Sequence, residues 1–227
     1  MKQILKIGLD SAAPFPLHSD YNSSVFEGFE VDMIQAVAEV LNLELQYEVS
    51  LWKTILEKLY KGELDMICSA VTMTTSRQMI LEFSKPYLQF QLCAVINKGN
   101  NLTDLSDFTN KKIGIRTATE AEKYVMAQFP ANVTVHTDTN DELYKKLLAH
   151  KIDVLIDDSP IVGGFLAKHK NLEIGMFMPG TESEYAIAMK KGDLTLKHQI
   201  NETLALLRKN GVYDSIYEKW FNSIKLV

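Results

Sequence analysis

Several things are scarce in this sequence, and each scarcity closes a class of answers. Only two of 227 residues are cysteine. Cys68 and Cys93 each sit inside an apolar run, Met66-Ile67-Cys68 and Leu92-Cys93-Ala94-Val95-Ile96, and read as buried free thiols rather than a disulfide framework. The five histidines are scattered, so no metal-ligand spacing arises, and no metal or other cofactor is expected. No run of about eighteen apolar residues occurs, so no membrane-crossing helix is expected. No block of Lys or Arg occurs either. The 24 basic residues face 29 acidic ones, for a net charge of −5, which argues against nucleic acid as a partner. The opening Met1-Lys2-Gln3-Ile4-Leu5-Lys6-Ile7-Gly8 is too short and too charged for a secretion signal and already reads as a strand. An exported protein would carry its signal ahead of this sequence.

What remains is ordinary globular composition, 46% hydrophobic and 23% charged, enough for one large or two modest domains. Lys6-Ile7-Gly8-Leu9-Asp10 reads as a buried strand, and Pro14-Phe15-Pro16 breaks it into a loop. Phe29 to Leu43 has helical spacing at Val31, Ile34, Val37, Ala38 and Leu41, ended by Asn42. Leu45 to Val49 alternates as a strand. Trp52 to Tyr60 places Ile55, Leu56 and Leu59 on one helical face before Gly62, and Leu64 to Cys68 is the next strand. The order β-α-β-α-β implies parallel strands with crossover helices.

The pattern then restarts. Lys112-Ile113-Gly114-Ile115-Arg116 echoes Lys6 to Asp10. A helix from Ala118 to about Phe129, a strand over Val133 to His136, a helix over Asp141 to His150 and a strand over Ile152 to Ile156 follow. Two α/β lobes are therefore expected, each a mostly parallel sheet flanked by helices. Lobe one takes residues 1–91 and 188–227, and lobe two takes 95–184. The extended runs Leu88 to Asn97 and Tyr185 to Met189 supply two hinge strands, at 92–94 and 185–187. Helices over Leu194 to Phe221 return to lobe one.

Ligands of open α/β sheets bind beyond the carboxyl ends of the strands. Four such ends here are polar: Asp10, Ser69 to Thr72, Arg116 to Thr119, and Asp157-Asp158. In Asp65 to Arg77 a strand runs into a loop of small residues with an arginine beyond it. Small side chains let a ligand approach backbone N–H groups, and a guanidinium grips a carboxylate with two parallel bonds. No nucleophile–base pair is present, so an enzyme is not expected.

Asp65 through Arg77, followed by Phe83-Ser84-Lys85-Pro86-Tyr87, resembles the signature of the polar-amino-acid-binding proteins of ABC importers. Glu27-Gly28-Phe29-Glu30-Val31-Asp32-Met33 resembles that family's segment at the start of its first helix. Asn210-Gly211-Val212-Tyr213 with Tyr217-Glu218-Lys219-Trp220-Phe221 resembles its ending. The match is collinear over nearly the whole chain. It implies a two-lobe type II periplasmic binding protein, the Venus-flytrap fold, closing on one free amino acid and delivering it to a membrane permease. It also implies a monomer outside the cytoplasm, periplasmic or lipid-anchored, with its signal removed.

The same resemblance implies the site. Arg77 takes the ligand α-carboxylate, helped by the backbone N–H of Thr72 and of the turn Thr119-Glu120, which opens a helix. Asp158 takes the α-ammonium with the Ser69 or Ala70 carbonyl and the Thr72 hydroxyl. Trp52 packs on the ligand side chain. An arginine in this role is expected to face water outside the core when no ligand is bound. Two features depart from the family. Ala12 and Ala13 stand where the family has an aromatic, so that wall is either missing or supplied by Phe15, and the family's usually glycine-rich turn is here Thr117-Ala118-Thr119-Glu120, without glycine. Once Arg77 and Asp158 are matched to the zwitterion, Asp10, Asp157, Glu120 and Arg116 leave a surplus of negative charge, favouring arginine or lysine. An Asp10 and Arg116 combination resembles the glutamine-binding branch, so glutamine follows closely. Two alternatives share the fold: a sensor domain of a membrane receptor, and a cyclohexadienyl-dehydratase-like enzyme with Glu120 as its acid.

Overall fold

A computed structural model of the chain describes residues 3–13, 16–18 and 26–222. Phe15 lies outside the described residues. The chain forms two compact units. Unit one runs through Gln89 and resumes at Ser183, and unit two is Phe90–Glu182.

Unit one is built on the expected alternation: β1 (Ile4–Asp10), α1 (Phe29–Leu41), β2 (Glu44–Ser50), α2 (Trp52–Lys61), β3 (Met66–Ile67), a short α3 (Thr75–Gln78), β4 (Leu81–Phe83) and β5 (Leu88–Phe90). Unit two follows with β6 (Leu92–Asn97), β7 (Ile113–Arg116), α4 (Glu120–Gln128), β8 (Thr134–Thr137), α5 (Asn140–Leu148), β9 (Val154–Asp158), α6 (Ser159–Lys168) and β10 (Leu172–Phe177). The chain returns through β11 (Ser183–Tyr185) and β12 (Ala188–Lys190) to α7 (Leu194–Lys209) and α8 (Val212–Phe221).

The two sheets share one plan. Among the described residues, unit one has the strand order β2-β1-β3-β12-β4 and unit two β8-β7-β9-β6-β10. In each, the first three strands are parallel, and the fourth runs antiparallel to both of its neighbours. The reversed strand is in each case the one reached after the chain changes unit, β6 going out and β12 coming back. Each long extended run is thus two strands. Leu92 to Ala94 are built into β6, Tyr185 closes β11, and Ala186 and Ile187 lie buried between β11 and β12. β5 and β11 pair as a separate two-stranded ribbon.

The repeated glycine of the two opening strands has a packing reason. A Cβ on Gly114 would sit 2.3 Å from Ile152 Cδ1 and 2.7 Å from Leu143 Cδ1, and one on Gly8 would sit 2.8 Å from Leu64 Cδ1. Both positions let neighbouring apolar groups close directly on the backbone. Helix α2 buries Trp52, Ile55, Leu56 and Leu59, spaced i, i+3, i+4, i+7, against Leu64, Ile67, Val71, Phe83 and Ala188. Fully burying each such side chain stabilises by about 1.5–3 kcal/mol.

The N-terminal and C-terminal motifs meet. The Phe29 ring has its centroid 5.9 Å from Tyr213, 6.1 Å from Tyr217 and 5.0 Å from Phe221. Asp32 accepts hydrogen bonds from Trp220 Nε1 at 2.8 Å and Lys219 Nζ at 2.6 Å. Helix α8 is therefore pinned to the first turn of α1 by both rings and charge.

Gly28 makes this junction possible. Its φ is +135°, and a Cβ there would lie 2.2 Å from the Leu17 carbonyl oxygen. Phe29 N–H and Glu30 N–H donate to the Pro16 and Leu17 carbonyls, so the strand-to-helix loop is stitched to the helix start.

Candidate functional site

In unit one the expected residues surround the ends of β1 and β3. Asp10 closes β1 and is buried; its Oδ1 accepts from Ala12 N–H at 3.1 Å, and its own N–H donates to Ser69 Oγ at 3.0 Å. Ser69 and Ala70 follow β3. Ala70 has φ +50°, left-handed for a residue that carries a Cβ. Thr72 bridges to Tyr185 of β11.

Arg77 corrects one expectation. Its residue is only 7% exposed, so it belongs to the packed part of unit one. Nη1 donates to the Thr72 carbonyl at 2.9 Å, and the guanidinium carbon lies 5.4 Å from the centroid of the Trp52 ring. The short helix α3 that carries it is capped by Thr74, whose Oγ1 accepts from Arg77 N–H at 3.3 Å. Arg77, Thr72 and Trp52 thus form one cluster, with a planar cation laid against an aromatic face.

In unit two Thr119 is the N-cap of α4. Its Oγ1 donates to the Arg116 carbonyl at 2.8 Å and accepts from Glu122 N–H at 3.2 Å. Glu120, in the first turn, is ion-paired to Lys123 at 2.7 Å. Ala118 has φ +60°, the left-handed conformation that glycine adopts more readily. Asp158 ends β9 and precedes α6, whose first turn carries Pro160. Its carboxylate makes no side-chain capping bond to that helix.

The charge tally drawn from the sequence also needs correcting. Arg116 is tied inside unit two, with Nε donating to the Asp138 carbonyl at 3.0 Å and Nη1 to Asn140 Oδ1 at 3.1 Å. Asn140 Nδ2 donates in turn to Asp157 Oδ2 at 2.7 Å, and Asp158 N–H donates to Asp157 Oδ1 at 2.9 Å. Burial pushes the Asp157 carboxyl up to about 6, against the pull of Asp158 N–H, Asn140 and the Arg116 charge. Asp157 is therefore an internal support for the β9 end, and Glu120 is offset by Lys123. The negative surplus shrinks accordingly.

Three further residues of unit one were not singled out in the sequence. Glu30 Oε2 lies 2.5 Å from His18 Nε2, both side chains fully buried. Glu30 Oε1 accepts from Ala70 N–H at 2.7 Å and from the Tyr87 hydroxyl. Ser69 Oγ lies 3.3 Å from the same His18 nitrogen. Serine and carboxylate converge on one nitrogen, so this is no relay through the two sides of an imidazole. Burial first and the Glu30 charge second push the Tyr87 hydroxyl and Cys68 thiol well up, keeping both protonated. The signal available in the sequence was Glu30 itself, an acid beside the apolar stripe of α1. Among the described residues no group of three or more His, Cys, Asp or Glu is placed to hold a metal ion, and no helix is long and apolar enough to cross a membrane.

Comparison with known proteins identifies the family and the fold. The family model of bacterial extracellular solute-binding proteins, family 3, matches residues 5–223. A probable histidine-binding protein of Neisseria gonorrhoeae is 25% identical over 91% of this chain and 79% of its own. The L-arginine-binding protein of Pseudomonas aeruginosa is 27% identical over 96% of this chain and 88% of its own. The solved structure of an ancestral arginine-binding protein bound to glutamine, 27% identical, superposes with a TM-score of 0.89 over 97% of this chain and 99% of the other.

Proposed function

Since the chain belongs to the bacterial extracellular solute-binding proteins, family 3, with the type II periplasmic binding protein fold, we propose that it binds one free L-amino acid and presents it to the permease of an ABC importer. The observation that carries this reading is the Arg77 cluster. A guanidinium held by the Thr72 carbonyl and the Trp52 face is oriented before a ligand arrives, and a planar fork of donors suits an α-carboxylate. Thr72 N–H and the helix start at Thr119-Glu120 add donors for the same group. Asp158, Ser69, Ala70 and Thr72 serve the α-ammonium.

The carboxylate residue belongs to unit one and the ammonium residue to unit two. A zwitterion that engages both favours a closed arrangement, and the ligand works by shifting the population toward it. The two crossings beside the β5–β11 ribbon are the hinge in this reading. Four or five charge-assisted bonds, at about 1.5–3 kcal/mol each, support micromolar or tighter affinity after the costs of association.

For the ligand side chain we place arginine or lysine first and glutamine next. Asp10 remains as an acid at the end of β1, and Trp52 suits an extended aliphatic stem. The relatives named for histidine and arginine, and an ancestral protein holding glutamine, support a cationic or amide side chain as the class. The test is a thermal-shift screen against all twenty amino acids followed by calorimetry. Arginine, lysine or glutamine should give the largest shift. Tight binding of leucine or glutamate alone would overturn the side-chain assignment, and no response to any amino acid would overturn the function.

A further inference from the structure

Two turns that carry the proposed ligand contacts contain an alanine in the left-handed region, Ala70 at φ +50° and Ala118 at φ +60°. A side chain makes that conformation costly, and glycine is the residue that normally adopts it. Here each alanine has the same device beside it. Ala70 N–H donates to Glu30 Oε1 at 2.7 Å, and Ala118 N–H donates to Glu122 Oε2 at 2.8 Å. Each glutamate stands in the first turn of a helix, α1 or α4, where the helix dipole favours its charge. Each is steadied by a histidine, His18 Nε2 at 2.5 Å from Glu30 and His136 Nδ1 at 2.9 Å from Glu122.

Each carboxylate reaches a backbone amide that lies outside its own helix. Glu122 stands at the third helical position, where its carboxylate would ordinarily reach back to the N–H of the N-cap residue Thr119. It reaches one residue further, to the left-handed Ala118. Glu30 is fully buried among donors, with Tyr87 on the same oxygen as Ala70, and a buried carboxylate is tolerable only with such partners. An N–H···carboxylate bond is charge-assisted and stronger than a neutral one, so it offsets the backbone cost that glycine would avoid.

We propose that Glu30 and Glu122 are positioning residues for amino-acid binding, each clamping a left-handed alanine so that the adjoining turn holds the shape the ligand requires. The Glu30 clamp sets Ser69, Ala70 and Thr72; the Glu122 clamp sets Thr119 and Glu120. This rests on the amino-acid-binding reading above. It adds that neither glutamate touches the ligand and that glycine at the clamped position makes the glutamate dispensable.

The test uses the full chain and the best-binding amino acid of the screen. Glu122 is partly exposed, its side chain at 26%, so Glu122→Ala is expected to fold. It should weaken binding about three- to ten-fold and release the Ala118 amide to faster hydrogen exchange. Adding Ala118→Gly should bring affinity back to within about two-fold of the parent. Glu30→Ala should weaken binding more than ten-fold with release of the Ala70 amide, and Glu30→Gln, which keeps an acceptor for Ala70, should bind within about three-fold. A folded Glu122→Ala variant with parental affinity overturns the proposal, as does an Ala118 amide still protected in it. A double variant no better than the single one also overturns it, because a purely structural loss would not be repaired by glycine. If the parent binds no amino acid, the function falls. The exchange at Ala70 and Ala118 then still reports whether the clamps exist, so the two failures are told apart.

Discussion

Replacing Arg77 by alanine should do two separable things. In unit one the guanidinium donates to the Thr72 carbonyl and lies over Trp52, so its removal costs stability even without ligand. A hydrogen bond from a charged group is worth about 1.5–3 kcal/mol and a partly buried cation–π contact about 0.5–2. A loss near 3 kcal/mol lowers the Tm of a chain this size by roughly 6–12 °C. The second effect is on binding. Every free amino acid offers the same α-carboxylate, so Arg77→Ala should weaken all ligands alike and leave their ranking unchanged. Truncating one side of a buried, hydrogen-bonded charge pair costs about 2–5 kcal/mol, which is roughly thirty-fold to several-thousand-fold in Kd. Arg77→Lys should recover only part of this, because an ammonium lacks the planar fork. Calorimetry well below the variant's Tm, with circular dichroism to confirm folding, separates the two terms. A folded variant whose affinity falls less than threefold would place the carboxylate elsewhere and refute the assignment of Arg77.

Two further outcomes follow from the same structure. Asp157 has its folded pKa raised to about 6 from 3.8, so the native state holds that proton more tightly than the unfolded chain does. Its contribution is full below about pH 4 and is lost as pH rises through 6, by an amount on the order of 3 kcal/mol. Asp157→Asn should therefore gain on the parent in urea unfolding between pH 4 and pH 7, and an unchanged difference across that range would sink the idea. Gly28→Ala should destabilise by at least about 3 kcal/mol, because its φ of +135° disfavours a side chain and its Cβ would collide with the Leu17 carbonyl. A variant melting within 2–3 °C of the parent would show that the loop moves aside freely.

The legible part of this fold was the part with strong periodicity. Helices α1, α2, α4, α5 and α7 and the strands between them follow apolar spacing, and the echo of Lys6 to Asp10 in Lys112 to Arg116 marks two sheets with one plan. Helix α6 was not read because Ser159-Pro160-Ile161-Val162-Gly163-Gly164 looks like a loop. Most of it is buried, and tertiary packing overrides the low propensity of paired glycines. Strand β10 was missed because Gly175 interrupts a short edge segment. At the site, the polar strand ends single out Asp10, Ser69 to Thr72, Arg116 to Thr119 and Asp157-Asp158, but charge counting does not show which carboxylates are tied up inside their own unit. Asp157 is held by Asn140, a partner seventeen positions earlier, and Glu30 is held by a histidine and a tyrosine from separate loops. Such pairings come from topology, which a linear pattern does not record.

The placement of β12 has a consequence for how the chain is made. Among the described residues unit two is one uninterrupted segment, and every strand of its sheet lies within it. Unit one cannot finish its sheet until β12 arrives, because β12 alone joins β4 to β3, with Ala188 opposite both Ile67 and Phe83. During synthesis the N-terminal half must therefore wait with an incomplete sheet while the middle of the chain acquires all its local partners. Sequence separation as large as that between Ile67 and Ala188 slows pairing through the entropy of loop closure. The half synthesised first is thus the half completed last, and its exposed β3 edge is where a nascent chain is most open to wrong partners.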